Sequence, residues 1–303
     1  MLKFKPIQLS DKQAIDSCLS DNIHRASDYC FANLFAWQAM FETTFAIEQD
    51  TLFVRYRNRK GNCSYLFPIG KLPLEQSVAM ILADSESGSC NCTFEMRAVT
   101  VGMWDALEAA MPGVFQFSHD RSTDEYIYTS EKLISLAGKK LQSKRNHINR
   151  FKKDNPDWQY SALVSCEELH ECVEMLDKWE NKYHDDAQQS LCFDYLATKI
   201  MLDNYDALGL RGGFIRVNGK IVAFTIGEPL TKDTYVIHVE KAYSEMNGAY
   251  AIINQQFVEN ETAAFTYINR EEDMGIENLR RAKELYYPDI LLEERIVRLR
   301  NSF

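Results

Sequence analysis

Gly212-Gly213-Phe214-Ile215-Arg216-Val217-Asn218-Gly219-Lys220-Ile221-Val222-Ala223-Phe224 is the stretch on which the fold turns. Asn-Gly between two apolar runs predicts a tight hairpin, because both residues tolerate the positive φ that a two-residue turn demands. The return strand is expected over 220–228 and a third strand over 234–240. The apolar period then lengthens: Ile252, Ile253 and Phe257 share one face of a helix over 248–259 that starts at Gly248. A strand at 264–268, a helix at 276–287 stopped by Pro288, and a strand at 291–299 complete the run.

Upstream, Ser165-Cys166-Glu167-Glu168 is a capping-box pattern, in which Ser165 and Glu168 satisfy each other's backbone N–H groups. Leu169, Val173, Leu176 and Trp179 then mark an amphipathic helix, and a second helix is expected over 193–208 with Leu196, Ile200 and Met201 inward. The first half repeats this order more faintly. Ser10-Asp11-Lys12-Gln13 opens a short helix, and 31–41 reads as another. Strands are expected at 44–47, 52–56 and 64–69, then a helix at 74–82, a strand at 93–99, a helix at 102–110 and a strand at 114–117. The matching order is what a duplicated domain gives. The expectation is an α/β (α+β) chain of two tandem domains, 1–130 and 156–303, joined by a basic helix over 131–155. Each domain is a mixed, mostly antiparallel sheet flanked by helices.

The bulk composition agrees. The chain has 303 residues, 46% hydrophobic and 26% charged, enough apolar material for a core in each half. A net charge of −10 argues against a general nucleic-acid binder, though a local basic patch can still steer an anion. No segment approaches the ~18 apolar residues a membrane span needs, and the N-terminus lacks the apolar centre of a secretion signal. The eight cysteines form no CxxC pair, which predicts reduced thiols in a cytoplasmic protein.

Hairpin, third strand and a helix beginning at glycine resemble the core of the GNAT acetyltransferase fold. Three further stretches resemble the phosphatidylglycerol lysyltransferase C-terminal family. They are Gly138-Lys139-Lys140-Leu141-Gln142-Ser143-Lys144-Arg145-Asn146-His147-Ile148-Asn149-Arg150-Phe151, the segment Asn269-Arg270-Glu271-Glu272-Asp273-Met274-Gly275-Ile276-Glu277-Asn278-Leu279-Arg280-Arg281-Ala282-Lys283, and Ser27-Asp28-Tyr29-Cys30-Phe31-Ala32-Asn33-Leu34-Phe35-Ala36-Trp37. The resemblance implies tandem GNAT domains that move an aminoacyl group from a charged tRNA to a lipid head group. It leaves two donors, aminoacyl-tRNA or acyl-CoA, neither a tightly bound cofactor. The acceptor is a lipid head group or a small amine, with peripheral membrane contact in view. An acyl-CoA-dependent N-acetyltransferase and a non-catalytic binding module on a degenerate GNAT fold are the rivals.

Four groups of residues could carry that chemistry. From Lys139 to Lys153 there are basic residues and no Asp or Glu. If helical, Asn146, Asn149, Arg150 and Lys153 share one face, opposite a stripe of Ile134, Ala137, Leu141 and Ile148. With Arg145, that face either grips phosphate or is a solvated linker surface. Around Gly248, GNAT enzymes hold the coenzyme A pyrophosphate at a helix N-terminus, which would engage Asn247, Gly248 and Ala249; the alternative is a helix start with a glycine for geometry alone. Glu245 and Tyr250 depart from that pattern, and a carboxylate repels a pyrophosphate. On the third strand, His238 and Glu240 alternate with Ile237 and Val239 and so should share a face, as base or positioning groups or as satisfied polar residues. Asp273 is a third candidate catalytic group or a helix N-cap, with Arg280 and Lys283 nearby for phosphate or acceptor. No metal is implied, and no catalytic triad, Walker loop or dinucleotide fingerprint is present.

Overall fold

The structure, a computed structural model, describes residues 2–58, 61–87, 94–183 and 189–300. Its elements run β1 (Lys5–Pro6), α1 (Lys12–Leu19), α2 (Phe31–Phe41), β2 (Thr44–Glu48), β3 (Thr51–Arg57), β4 (Cys63–Leu66), β5 (Ile69–Gly70), α3 (Leu74–Glu86), β6 (Glu95–Thr100), α4 (Val101–Ala110), β7 (Phe115–His119) and β8 (Glu125–Thr129). They continue with α5 (Ser130–Ser135), α6 (Gln142–Asp154), β9 (Gln159–Ala162), α7 (Cys166–Tyr183), α8 (Gln189–Asp203), α9 (Tyr205–Leu208), β10 (Arg211–Val217), β11 (Lys220–Pro229) and β12 (Thr234–Ala242). The last are α10 (Ala249–Glu261), β13 (Tyr267–Asn269), α11 (Glu277–Glu284), β14 (Ile290–Leu292) and β15 (Glu294–Leu299). The chain divides into two compact units, Met1–Glu125 with Leu292–Phe303, and Tyr126–Leu291.

In the first unit the sheet order is β1-β2-β3-β4-β6-β15-β7, with β5 pairing β3. Phe53, Val78, Met96, Met103, Leu107 and Phe115 are fully buried in its core. One buried carboxylate ties its strands together. Glu95 on β6 accepts from Asn58, Ser64 and Arg97 through one oxygen and from Arg298 on β15 through the other. Cys18, Cys30, Cys166 and Cys172 form no disulfide, but Cys63 is disulfide-bonded, which corrects the expectation of reduced thiols throughout.

In the second unit the order is β14-β8-β13-β12-β11-β10-β9. The Asn218–Gly219 turn takes φ of 47° and 74°, as the hairpin reading requires. Ser165 and Glu168 cap α7 reciprocally. Helix α10 buries Ile252, Ile253 and Phe257 against Ile215, Ala223 and Ile237 of the sheet. Each such side chain contributes about 2–3 kcal/mol relative to solvent exposure.

Three expectations change. The 131–155 stretch is not one helix: Leu136 and Gly138 take φ of 47° and 83°, ending α5 before α6 begins. Ala137 is exposed accordingly, while Leu141 and Ile148 are buried. The strand expected over 291–299 is two, β14 beside β8 in one sheet and β15 between β6 and β7 in the other. Leu196 is 40% exposed; Ala197, Thr198, Met201 and Leu202 form the buried side of α8.

Candidate functional site

Strands β12 and β13 run parallel for three residues, Thr234 to Val236 against Tyr267 to Asn269. They then part. The chain past β13 stays with β8, since the Arg270 N–H donates to the Tyr126 carbonyl (3.0 Å) and the Tyr126 N–H donates to the Glu271 carbonyl (3.2 Å). Strand β12 instead follows β11 to Ala242. Beyond Val236 no described strand pairs with β12 on the β13 side. The strands therefore splay into a wedge after Val236, and the Glu240 and Arg270 side chains meet across it.

Glu240 lies in the diverging part of β12. One of its oxygens accepts from Arg270 Nη2 at 2.7 Å, the other from Asn254 Nδ2 on α10 at 2.9 Å. The Arg270 guanidinium rests over the rings of Tyr286 (4.8 Å) and Tyr128 (5.7 Å), a cation–π arrangement in a desolvated place. Lys144 on α6 stands over the same Tyr286 ring at 3.9 Å. Burial, and then the neighbouring Arg270 charge, push the Lys144 ammonium down to about 8 against the pull of Glu240.

His238 does not share a face with Glu240, which corrects the alternation argument. Ile226 pairs with Val239 but Gly227 pairs with Ile237, so His238 is the extra residue of a β-bulge. Ile237, Glu240 and Ala242 face α10; His238 turns to the opposite side with Glu228. Its Nδ1 lies 2.8 Å from Glu271 Oε1 and its Nε2 3.2 Å from Glu228 Oε1. Only a ring protonated at both nitrogens donates to both carboxylates.

The 270–276 loop is held from inside. Asp273 has no exposed surface. It receives both Nε (2.8 Å) and Nη2 (3.0 Å) of Arg280, the Tyr126 hydroxyl (2.7 Å) and the Gly275 N–H (2.9 Å). Burial opposes its ionisation, but these donors hold its carboxyl below the usual range. It is not the α11 N-cap, a position Ile276 occupies. Lys283 donates to the carbonyls of Arg270 (2.6 Å), Glu271 (3.1 Å) and Glu272.

At the start of α10, Gly248 takes φ of 90°, and a Cβ placed there would lie 2.3 Å from the His147 carbonyl. The glycine therefore lets the α6 backbone approach the α10 N-terminus. Asn247 Oδ1 lies 2.6 Å from His147 Nδ1, Ala249 is buried, and Glu245 pairs with Lys182. On α6, Arg145 donates to the carbonyls of Leu136 and Gly138. Asn146, Asn149 and Arg150 are exposed; Asn146 accepts from Gln142 and Arg150 donates to Asp154.

The structure thus brings Glu240 together with Lys144, Asn254, Arg270, Tyr128 and Tyr286, none of which was singled out individually by sequence. Lys144 and Arg270 both stand in the stretches that carry the family resemblance, and that was the available signal. The tyrosines and Asn254 gave none, since their roles depend on which elements pack.

The family model described as "Phosphatidylglycerol lysyltransferase, C-terminal" matches residues 21–296. A conserved protein of unknown function from Bacteroides thetaiotaomicron has a solved structure 37% identical in sequence, covering 99% of this chain and 100% of that one, with a TM-score of 0.92. L-PGS from Bacillus licheniformis shares the fold at 16% identity, covering 89% and 92% of the two chains with a TM-score of 0.61. An uncharacterised protein of Mycoplasmoides gallisepticum is 24% identical over 187 residues, spanning 60% of this chain and 58% of that protein. No described helix is long and apolar enough to cross a membrane.

Proposed function

The chain belongs to the phosphatidylglycerol lysyltransferase C-terminal family, and from that premise we propose that it transfers an aminoacyl group from a charged tRNA to an amine or hydroxyl acceptor at the β12–β13 wedge. The observation that carries the reading is the parting of β12 from β13 after Val236, with Glu240 in the opened stretch. The acceptor attacks the ester carbonyl, and the main chain beyond Val236 supplies N–H donors to the developing oxyanion. Glu240 takes the acceptor's proton, the bond to the tRNA 3′ oxygen breaks, and that oxygen leaves with a proton. No covalent enzyme intermediate is needed.

The start of α10 favours aminoacyl-tRNA over acyl-CoA as the donor. A pyrophosphate cradle there needs open backbone N–H groups. The His147 carbonyl lies against Gly248 instead, and the Glu245 carboxylate stands one turn away. The exposed face of α6, with Asn146, Asn149 and Arg150, gives the tRNA backbone a place to lie. Arg280 and Lys283 position the 270–276 loop, and Asp273 anchors it. The test is to offer labelled aminoacyl-tRNA and labelled acetyl-CoA in parallel, with a small amine and with lipid vesicles. Label moving from tRNA supports the proposal. Label moving only from coenzyme A selects the N-acyltransferase reading, and label moving from neither selects a binding module.

A further inference from the structure

Two cations share one aromatic ring. Lys144 Nζ stands 3.9 Å, and Arg270 Cζ 4.8 Å, from the centroid of Tyr286. Like charges held together away from water repel, so a fold keeps such a pair only if something offsets it. The charged groups around them come from every neighbouring element: Glu240 from β12, Lys283 from α11, Glu271 and Asp273 from the loop after β13. Glu240 bonds Arg270. Lys283 is committed to three carbonyls, Glu271 is engaged with His238, and Asp273 with Arg280. Tyr128 and Tyr286 are held neutral, their hydroxyls pushed well up by burial. Among the described residues one carboxylate, that of Glu240, therefore faces both cations.

A second observation is independent of that count. Arg270 Nη1 is a buried donor with no acceptor among the described residues, although Nη2 beside it is bonded. A guanidinium N–H left without an oxygen is a costly omission. The missing partner has the chemistry of an anionic oxygen. Lys144 keeps partial exposure, so the cluster reaches solvent on the α6 side. Burial, and after it the Arg270 charge, lower the Lys144 ammonium to about 8, so the cation is held in a place that disfavours charge without a partner.

We propose that Lys144 and Arg270, set against Tyr286, form an anion pocket that binds a carboxylate or phosphate group of the substrate entering beside Glu240. The planar guanidinium supplies direction and the ammonium, with three rotating donors, supplies charge. The assignment of the anion to a substrate rests on the transfer reading; the pocket itself does not.

Binding can be read without turnover, so its failure is separable from failure of the transferase assay. The whole chain is melted against increasing orthophosphate and, separately, acetate, at ionic strength held constant with chloride. The midpoint should rise with at least one of the two, because a ligand of the native state stabilises it. Phosphate alone names a phosphate ligand and acetate alone a carboxylate. Lys144→Met should bind about tenfold more weakly, the worth of one charge-assisted hydrogen bond, and Lys144→Arg should restore binding. Should Lys144→Met not fold, the native chain still decides, because its affinity should fall as pH rises through about 8. No shift with either anion, or equal affinity in Lys144→Met, overturns the pocket.

Discussion

Arg270 and Glu240 meet at 2.7 Å across the gap where β12 leaves β13, and each side chain is only 11% exposed. Breaking a buried pair from one side leaves the other charge stranded. Glu240→Ala should therefore cost about 3–5 kcal/mol in denaturant unfolding. Combining it with Arg270→Met should recover a large part of that loss. If the single and double variants are equally unstable, the pair is not coupled.

Gly248 should tolerate no side chain. Gly248→Ala meets both the positive φ of 90° and the His147 carbonyl, 2.3 Å from the new Cβ. A loss of about 2–4 kcal/mol is expected. A variant as stable as the parent would mean that α6 does not lie against α10 in solution.

Acid should weaken the first unit through Glu95. Burial opposes its ionisation, but hydrogen bonds from Arg97, Ser64 and Asn58 hold its carboxyl at about 2. With the folded value below the unfolded one, the stabilisation is fully present above the ordinary carboxylate range. It fades as pH falls toward about 2. The difference is worth about 3 kcal/mol at most. Glu95→Gln should flatten the acid limb of the stability curve, measured by urea unfolding at several pH values.

Asp273 separates scaffold from catalyst. Asp273→Asn keeps the shape but weakens the Arg280 pair, and a loss of about 2 kcal/mol is expected. If the residue only orders the loop, transfer per folded molecule should stay within a few-fold of the parent. A fall of several orders of magnitude with the fold intact would place Asp273 in the chemistry instead.

Much of the second unit was legible because its signals are local. Asn218–Gly219 sets a turn by backbone preference, Ser165 and Glu168 cap a helix within four residues, and Ile252, Ile253 and Phe257 announce a face. What stayed hidden is non-local. The split of 291–299 between two sheets depends on partners at β6 and β8, far away in sequence. The bulge at His238 slipped the two-residue alternation, which no local pattern of Ile-His-Val-Glu signals, and so sent His238 and Glu240 to opposite faces. The glycine at the α10 start fits either a phosphate cradle or a purely geometric helix start in sequence, and only packing reveals that another helix's carbonyl lies against Gly248. Lys144 looked like one more basic residue until packing set it over Tyr286 beside Arg270.

The central claim is transfer at the β12–β13 wedge, and the most direct measurement is single-turnover release of label from aminoacyl-tRNA into acceptor, parent against Glu240→Asp. The account predicts label in the acceptor with the parent, and a rate at least about tenfold lower when the shorter carboxylate retreats from the wedge. Transfer at an unchanged rate in a folded Glu240→Asp protein would contradict it.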